Sequence, residues 1–176
     1  LKENPQGIGA VVQQRWQPLE DVKLARERCW VALDAAQDPG NIGTIMRTGD
    51  AVGNAGLILL GNCADPYDPA ALRASMGAVF SQRLVKASFT EFATWKQQHH
   101  YPVIGTSGAA THDYRQVSYP HPVILLMGSE RQGLSDEQQA ICDSIVKIPM
   151  VGRSDSLNLA VATGVVLYEI YYQTQA

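Results

Sequence analysis

The run Val123–Gly128, VILLMG, holds no charged or hydrogen-bonding side chain over a length too short for a helix. Similar short apolar stretches stand at Trp30–Ala35 and Gly56–Leu60, with lesser ones at Arg83–Lys86, Pro102–Thr106 and Ile145–Ile148. A brief run of this kind, bounded by Gly, Pro, Asn or Asp, reads as a strand buried on both faces. Between the runs lie segments of helical character: Ile42–Val52, Ala70–Met76, Phe89–His99, Asp136–Asp143 and, longest, Leu157–Tyr172. Strands alternating with helices predict an α/β fold, a mostly parallel sheet of five or six strands with helices on both faces. Asn41 is placed to cap the first long helix and Gly53 to end it. In the last helix, Val161, Val165 and Tyr168 share a face with Leu157 and Gly164.

A chain of 176 residues corresponds to one domain. Residues 29–176 carry the alternating pattern. Residues 1–28 read as a linker, with a turn at Asn4–Gly7, a short strand at Ile8–Val12 and a brief helix over 18–28. The polar stretch 107–122 reads as a surface excursion. A net charge of -3 with 18% charged residues announces no polyanion partner, although composition cannot reveal a basic patch. The three cysteines form no Cys-x-x-Cys pair, which argues against a disulfide scaffold. With no apolar run of membrane-spanning length and no secretory leader, a soluble, cytoplasmic protein is expected.

Several chemistries are excluded by what is missing. Gly7-x-Gly9 falls short of the dinucleotide fingerprint, and no phosphate-binding Gly-Lys-Ser/Thr loop occurs. Gly105-Thr106-Ser107-Gly108 lacks the spacing of a hydrolase nucleophile elbow. His99 and His100 are adjacent and His112 and His121 lie in the excursion, so no metal site is expected.

Three polar clusters instead interrupt the apolar pattern at the C-terminal ends of strands, where parallel α/β folds bind ligands. They are Asn41 with Arg47, the stretch MGSERQGLS (Met127–Ser135), and IPMVGRSDSLNLAVA (Ile148–Ala162). Each residue has a plainer reading. Asn41 caps a helix, Arg47 is solvated, Glu130 caps or is solvated, and Ser156 and Asn158 cap the last helix.

As an ordered set, the clusters resemble the SpoU (TrmH-like) family of RNA ribose 2'-O-methyltransferases, within the SPOUT superfamily. The motifs are Asn41-Ile42-Gly43 with Arg47, then Met127-Gly128-Ser129-Glu130-Arg131-Gln132-Gly133-Leu134, then Ile148-Pro149-Met150 with Ser156-Leu157-Asn158. The resemblance covers residues 29–172. It implies a C-terminal deep trefoil knot, S-adenosylmethionine as cofactor, a homodimer, and structured RNA (rRNA or tRNA, 23S rRNA favoured) as substrate, with neither DNA nor membrane as partner. It places Arg47, Asn41, Glu130, Ser156 and Asn158 in catalysis, and Thr106, Gly108, Met127, Gly128, Ile148, Met150 and Leu157 around the cofactor. Gly128 is expected to leave room for the ligand, and the amides near Asn41 to favour a phosphate. The opening NPQGIGAVV resembles the connection to a small RNA-binding domain that precedes the catalytic domain in longer members, a domain the resemblance leads one to expect upstream of this sequence. A second reading is a non-catalytic RNA-binding or ribosome-assembly module that retains the cofactor fold.

Overall fold

The structure, a computed structural model, describes residue 7, residues 9–24 and residues 29–175. Its frame is a sheet in the order β3-β2-β1-β6-β4-β7-β5 with every pairing parallel. The strands are β1 (Cys29–Asp34), β2 (Gly56–Leu60), β3 (Arg83–Ala87), β4 (Val103–Thr106), β5 (His112–Asp113), β6 (Val123–Met127) and β7 (Ser144–Lys147). The helices are α1 (Pro39–Val52), α2 (Pro69–Ser75), α3 (Phe89–His99), α4 (Asp136–Ala140) and α5 (Leu159–Gln173).

Side-chain alternation along the strands sorts the apolar residues onto two faces. Cys29, Val31 and Leu33 of β1 and Val123, Leu125 and Met127 of β6 join a core with Ile42, Ile45 and Met46 of α1 and Val166, Leu167 and Ile170 of α5. Trp30, Ala32, Ile124 and Leu126 face the opposite way, against Phe92 and Trp95 of α3. Helices therefore cover both faces, as the alternating pattern predicts. Both central strands are buried along nearly their whole length, which is why they read as unbroken apolar runs.

Several local expectations are corrected. Asp38, not Asn41, caps α1: its side chain accepts from the Gly40 N–H, and Pro39 takes the first helical position, where no N–H is needed. The Asn41 and Ile42 amides bond to the Asp38 carbonyl, so the start of α1 offers no amide cradle for phosphate. The sheet has seven strands because the two-residue β5 rises from the expected excursion and pairs with β7. Residues 9–16 are not a strand, and the 18–28 helix reduces to a single 3-10 turn at Leu19–Asp21, with residues 25–28 and Ile8 outside the described residues. The last helix begins at Leu159, two residues later than expected, because Asn158 caps it by accepting from the Ala160 and Val161 N–H groups.

The apolar residues of α5 divide between two faces. Its inward stripe is Leu159, Ala160, Thr163, Val166, Leu167 and Ile170. The face shared by Val161, Val165, Gly164 and Tyr168 lies beside Thr44 and Thr48 of α1, where Val161 and Tyr168 remain 52% and 42% exposed. Where α5 crosses α1, a Cβ on Gly164 would stand 3.4 Å from the Thr48 methyl group. At the start of α1, a Cβ on Gly43 would sit 2.3 Å from the Ala71 carbonyl oxygen of α2. Close helix packing, rather than ligand approach, therefore requires the motif glycine Gly43.

Candidate active site

The C-terminal edge of β6, β4 and β7 opens into a cleft of about 400 Å³. This lies within the ordinary range for a small-molecule site, about 300–1,000 Å³. Its walls come from the loops after all three strands, and all seven residues assigned to the cofactor by resemblance line it: Thr106, Gly108, Met127, Gly128, Ile148, Met150 and Leu157. Glu130 and Ser156 line it too. The Thr106 hydroxyl donates to the Met127 sulfur at 3.4 Å, tying the ends of β4 and β6 together.

The loop after β6 folds back on itself. Ser129 and Gly133 exchange backbone hydrogen bonds of 3.1 and 2.9 Å, and the Gln132 N–H donates to the Ser129 hydroxyl at 3.2 Å. Gly133 supplies the left-handed turn at φ 67°. A Cβ added at Gly128 would lie 2.1 Å from the Gly133 carbonyl carbon and 2.3 Å from the Leu134 nitrogen. This corrects the expected role of Gly128: the room it leaves is filled by the loop's own backbone.

The three motifs meet through hydrogen bonds. The Asn41 side-chain amide donates to Glu130 Oε1 at 2.6 Å, and the Asn158 amide donates to Asn41 Oδ1 at 2.9 Å. Glu130 Oε2 accepts from the Gln37 N–H at 3.3 Å. One asparagine on α1 thus holds the β6 loop with its nitrogen and the cap of α5 with its oxygen. Asn41 is itself buried at 8% exposure, where an unbonded amide would be costly. It can serve this way because Asp38 has relieved it of capping.

Arg47 is placed differently. It is exposed on α1, does not line the cleft, and makes no hydrogen bond or ion pair among the described residues. Glu130 is engaged with Asn41 and Gln37 rather than with Arg47. Ser156 sits in the exposed stretch 149–158 and bonds to none of the motif residues. Sequence reasoning missed Gln37, the second donor to Glu130, and wall residues such as Ser107, Gln139 and Asp155. Only Gln37 carried a signal, as its place just before the Asp-Pro-Gly turn puts it at the mouth of α1.

Cysteine chemistry has no support at this edge. The three thiols are free, and burial raises the pKa of each: Cys29 to about 12, Cys142 to about 11, and Cys63 upward as well. Such thiols stay protonated and unreactive at neutral pH. Among the described residues, no three or more His, Cys, Asp or Glu side chains gather where they could hold a metal ion.

A ligand-sized cleft at the C-terminal edge of a parallel sheet, framed by three loops and lacking both common nucleotide-binding glycine patterns, defines a ligand-binding α/β domain outside the Rossmann and P-loop classes. More specifically, the chain belongs to the SpoU rRNA Methylase family, whose sequence profile matches residues 28–168. It is 36% identical over 177 residues to the 23S rRNA (uridine(2479)-2'-O)-methyltransferase of Streptomyces viridochromogenes, spanning 97% of this chain and 62% of that protein. It is 31% identical to the 23S rRNA (guanosine-2'-O-)-methyltransferase RlmB of Vibrio parahaemolyticus, over 98% of this chain and 72% of that one. The AdoMet-bound rRNA methyltransferase from Sinorhizobium meliloti superposes with a TM-score of 0.87 at 43% identity, covering 90% of this chain and 61% of its own length. The chain thus spans less than two thirds of several of the proteins it matches.

Proposed function

We propose that residues 29–176 form the catalytic domain of an S-adenosylmethionine-dependent RNA ribose 2'-O-methyltransferase, with residues 1–28 as a linker, working on 23S rRNA in the cytoplasm. The observation that carries this reading is the convergence of Asn41, Glu130 and Asn158, from three distant motifs, beside a cleft lined by the cofactor residues. The names of the relatives support ribosomal RNA over transfer RNA. Among the described residues, no helix is long and apolar enough to cross a membrane.

The cleft suits the cofactor by its chemistry as well as its size. Met127, Ile148 and Leu157 offer apolar walls for an adenine, while the loop backbones of 128–134 and 148–157 offer polar edges. When bound, the cofactor supplies an electrophilic methyl group on a sulfonium. The protein must then align a ribose oxygen and help that oxygen lose its proton. A guanidinium stays protonated in proteins, so Arg47 acts as a cation rather than a base. Its fork grips the target's phosphate and stabilises the developing alkoxide, while a neighbouring phosphate accepts the proton. Asn41, Glu130 and Asn158 position the walls. Ser156 reaches the target sugar or the cofactor's carboxylate end.

The sheet order β1-β6-β4-β7, with the loops after β6 and β7 on one cleft, supports passage of the C-terminal segment through the β6 loop as a trefoil knot. A homodimer is supported by the exposed apolar strip of Val161, Tyr168 and Tyr172 on α5 and by exposed Met150 and Val151 in the third motif's loop. Arg47 lies between Thr44 and Thr48, which border that strip. Pairing through α1 and α5 brings the arginine of one subunit towards the cleft of the other.

The test is transfer of labelled methyl from S-adenosylmethionine to ribosomal RNA transcribed in vitro, with alkaline hydrolysis to locate resistant linkages. Incorporation at one 2'-hydroxyl is the expected result. Cofactor binding without transfer to ribosomal or transfer RNA would favour the non-catalytic module instead.

A further inference from the structure

A second pocket, of about 370 Å³, lies on the α1–α2 face of the sheet, at the C-terminal ends of β2 and β3. Its lining includes Gln14, Trp16, Cys63, Asp65 and Lys86. Of the chain's three tryptophans, Trp30 and Trp95 are buried, whereas Trp16 is 38% exposed. Large aromatic side chains are normally buried or committed to a contact.

Trp16 is exposed yet held in place from both sides. The Arg15 N–H donates to the Tyr67 hydroxyl at 3.0 Å, and that hydroxyl donates to the Arg15 carbonyl at 2.7 Å. The Gln17 N–H donates to the Leu84 carbonyl at 2.8 Å, which docks the segment on β3. The Tyr67 ring packs against the indole in a T-shaped contact, with centroids 5.6 Å apart and planes at 77°. Lys86 is exposed on β3 and has no ion pair among the described residues. Asp65 is occupied in part by the Tyr67 N–H at 2.9 Å.

This pocket is joined to the cleft by a short chain of contacts. Glu130 accepts from the Gln37 N–H, and the Gln37 side-chain amide donates to the carbonyl of Asn62, the neighbour of Cys63 in the pocket wall.

We propose that this pocket is a nucleobase-binding subsite that stacks an unpaired base of the RNA substrate on Trp16, with Lys86 on the adjoining phosphate. The pinned indole is a preorganised platform, and an aromatic face beside an uncommitted cation is the combination that holds single-stranded RNA. Gln14 and Asp65 offer hydrogen-bonding groups to the edge of the base. The inference rests on the RNA-methyltransferase reading, since it takes RNA as the ligand.

Titrating the full chain with a single-stranded oligouridylate while following tryptophan emission tests it directly, because Trp16 is the exposed indole. Quenching is expected in the wild type and its loss in Trp16→Ala. In methyl transfer to unmodified ribosomal RNA, Trp16→Ala should raise the RNA KM about tenfold, the scale of one lost stacking contact. Its kcat and cofactor affinity should stay unchanged, and Trp16→Phe should restore most of the affinity. Lys86→Gln should lower the salt dependence of binding by about one phosphate contact. An unquenched wild type together with an unaltered KM in Trp16→Ala would overturn the subsite. A wild type that is quenched but transfers no methyl group would overturn the enzymatic reading and leave the subsite standing.

Discussion

Asn41 and Arg47 sit on the same helix fewer than two turns apart, and their surroundings have almost nothing in common. Asn41 is buried and uses both ends of its amide, one on Glu130 and one on Asn158. Arg47 projects from the helix and touches no polar partner among the described residues. The first is the arrangement of a structural lock, whose groups are already satisfied. The second leaves a cation in water, which is what the proposed role of Arg47 on a substrate phosphate requires. On the proposed function, one motif then contains two kinds of residue: one that builds the site's frame and one that works in it.

Four experiments can break or sharpen this division. The largest effect is expected from Arg47→Ala, which should slow methyl transfer by about 10²–10³-fold, the usual loss on removing a group that stabilises transition-state charge. Its urea midpoint should shift by less than the equivalent of about 0.5 kcal/mol, and calorimetry should find cofactor affinity intact. An Arg47 variant that unfolds early or keeps full rate would erase the contrast.

Next comes Gly128→Ala. The added methyl collides with the backbone of Gly133, so a loss of about 2–3 kcal/mol is expected in denaturant titrations. Cofactor binding should weaken with it, because the loop that forms the cleft wall must open. A stable variant with normal cofactor affinity would show that the loop is not rigid.

A double-mutant cycle on Asn41→Ala and Asn158→Ala measures the lock itself. Asn41→Ala alone leaves Glu130 and Asn158 without their amide and should destabilise by about 1–2 kcal/mol. The coupling between the two positions should be about 0.5–1.5 kcal/mol. Additive single effects would mean that the 2.9 Å bond contributes nothing.

The smallest effect serves as a baseline from the core beneath α1. Burial raises the Cys29 thiol from 9.0 to about 12, so the native state keeps its proton after the unfolded chain has lost it. The associated stability is present in full below pH 9 and is lost as the pH rises towards 12. The slope is at most about 1.4 kcal/mol per pH unit. Urea midpoints at pH 8 and 10 should differ less in Cys29→Ala than in the wild type. Identical pH dependence would show that this thiol does not contribute.

Much of this could be read from the chain, for reasons visible in particular residues. β1, β2 and β6 announced themselves because both their faces are buried, which removes polar residues from the run. The three motifs stood out because they place polar groups where strands end. Strand order is a different kind of information. That β6 inserts between β1 and β4 depends on contacts between distant segments, and local periodicity is silent about it. The α1 cap was misplaced because Asp38 and Asn41 are both good capping residues, and Pro39 alone tips the choice. α5 is apolar nearly all round, so its exposed stripe looks as core-like as its buried one. Finally, nothing in the residue types of Asn41, Glu130 and Asn158 says that they bond to each other rather than to a ligand.

The tight closure of Ser129 on Gly133 has a bearing on how such a domain could acquire new preferences. With its backbone held this firmly, the loop has little freedom to lengthen or change course. Its tip, however, carries Arg131 and Gln132 on side chains exposed to solvent. Discrimination can then be rewritten one tooth at a time, as on a key whose blank stays the same.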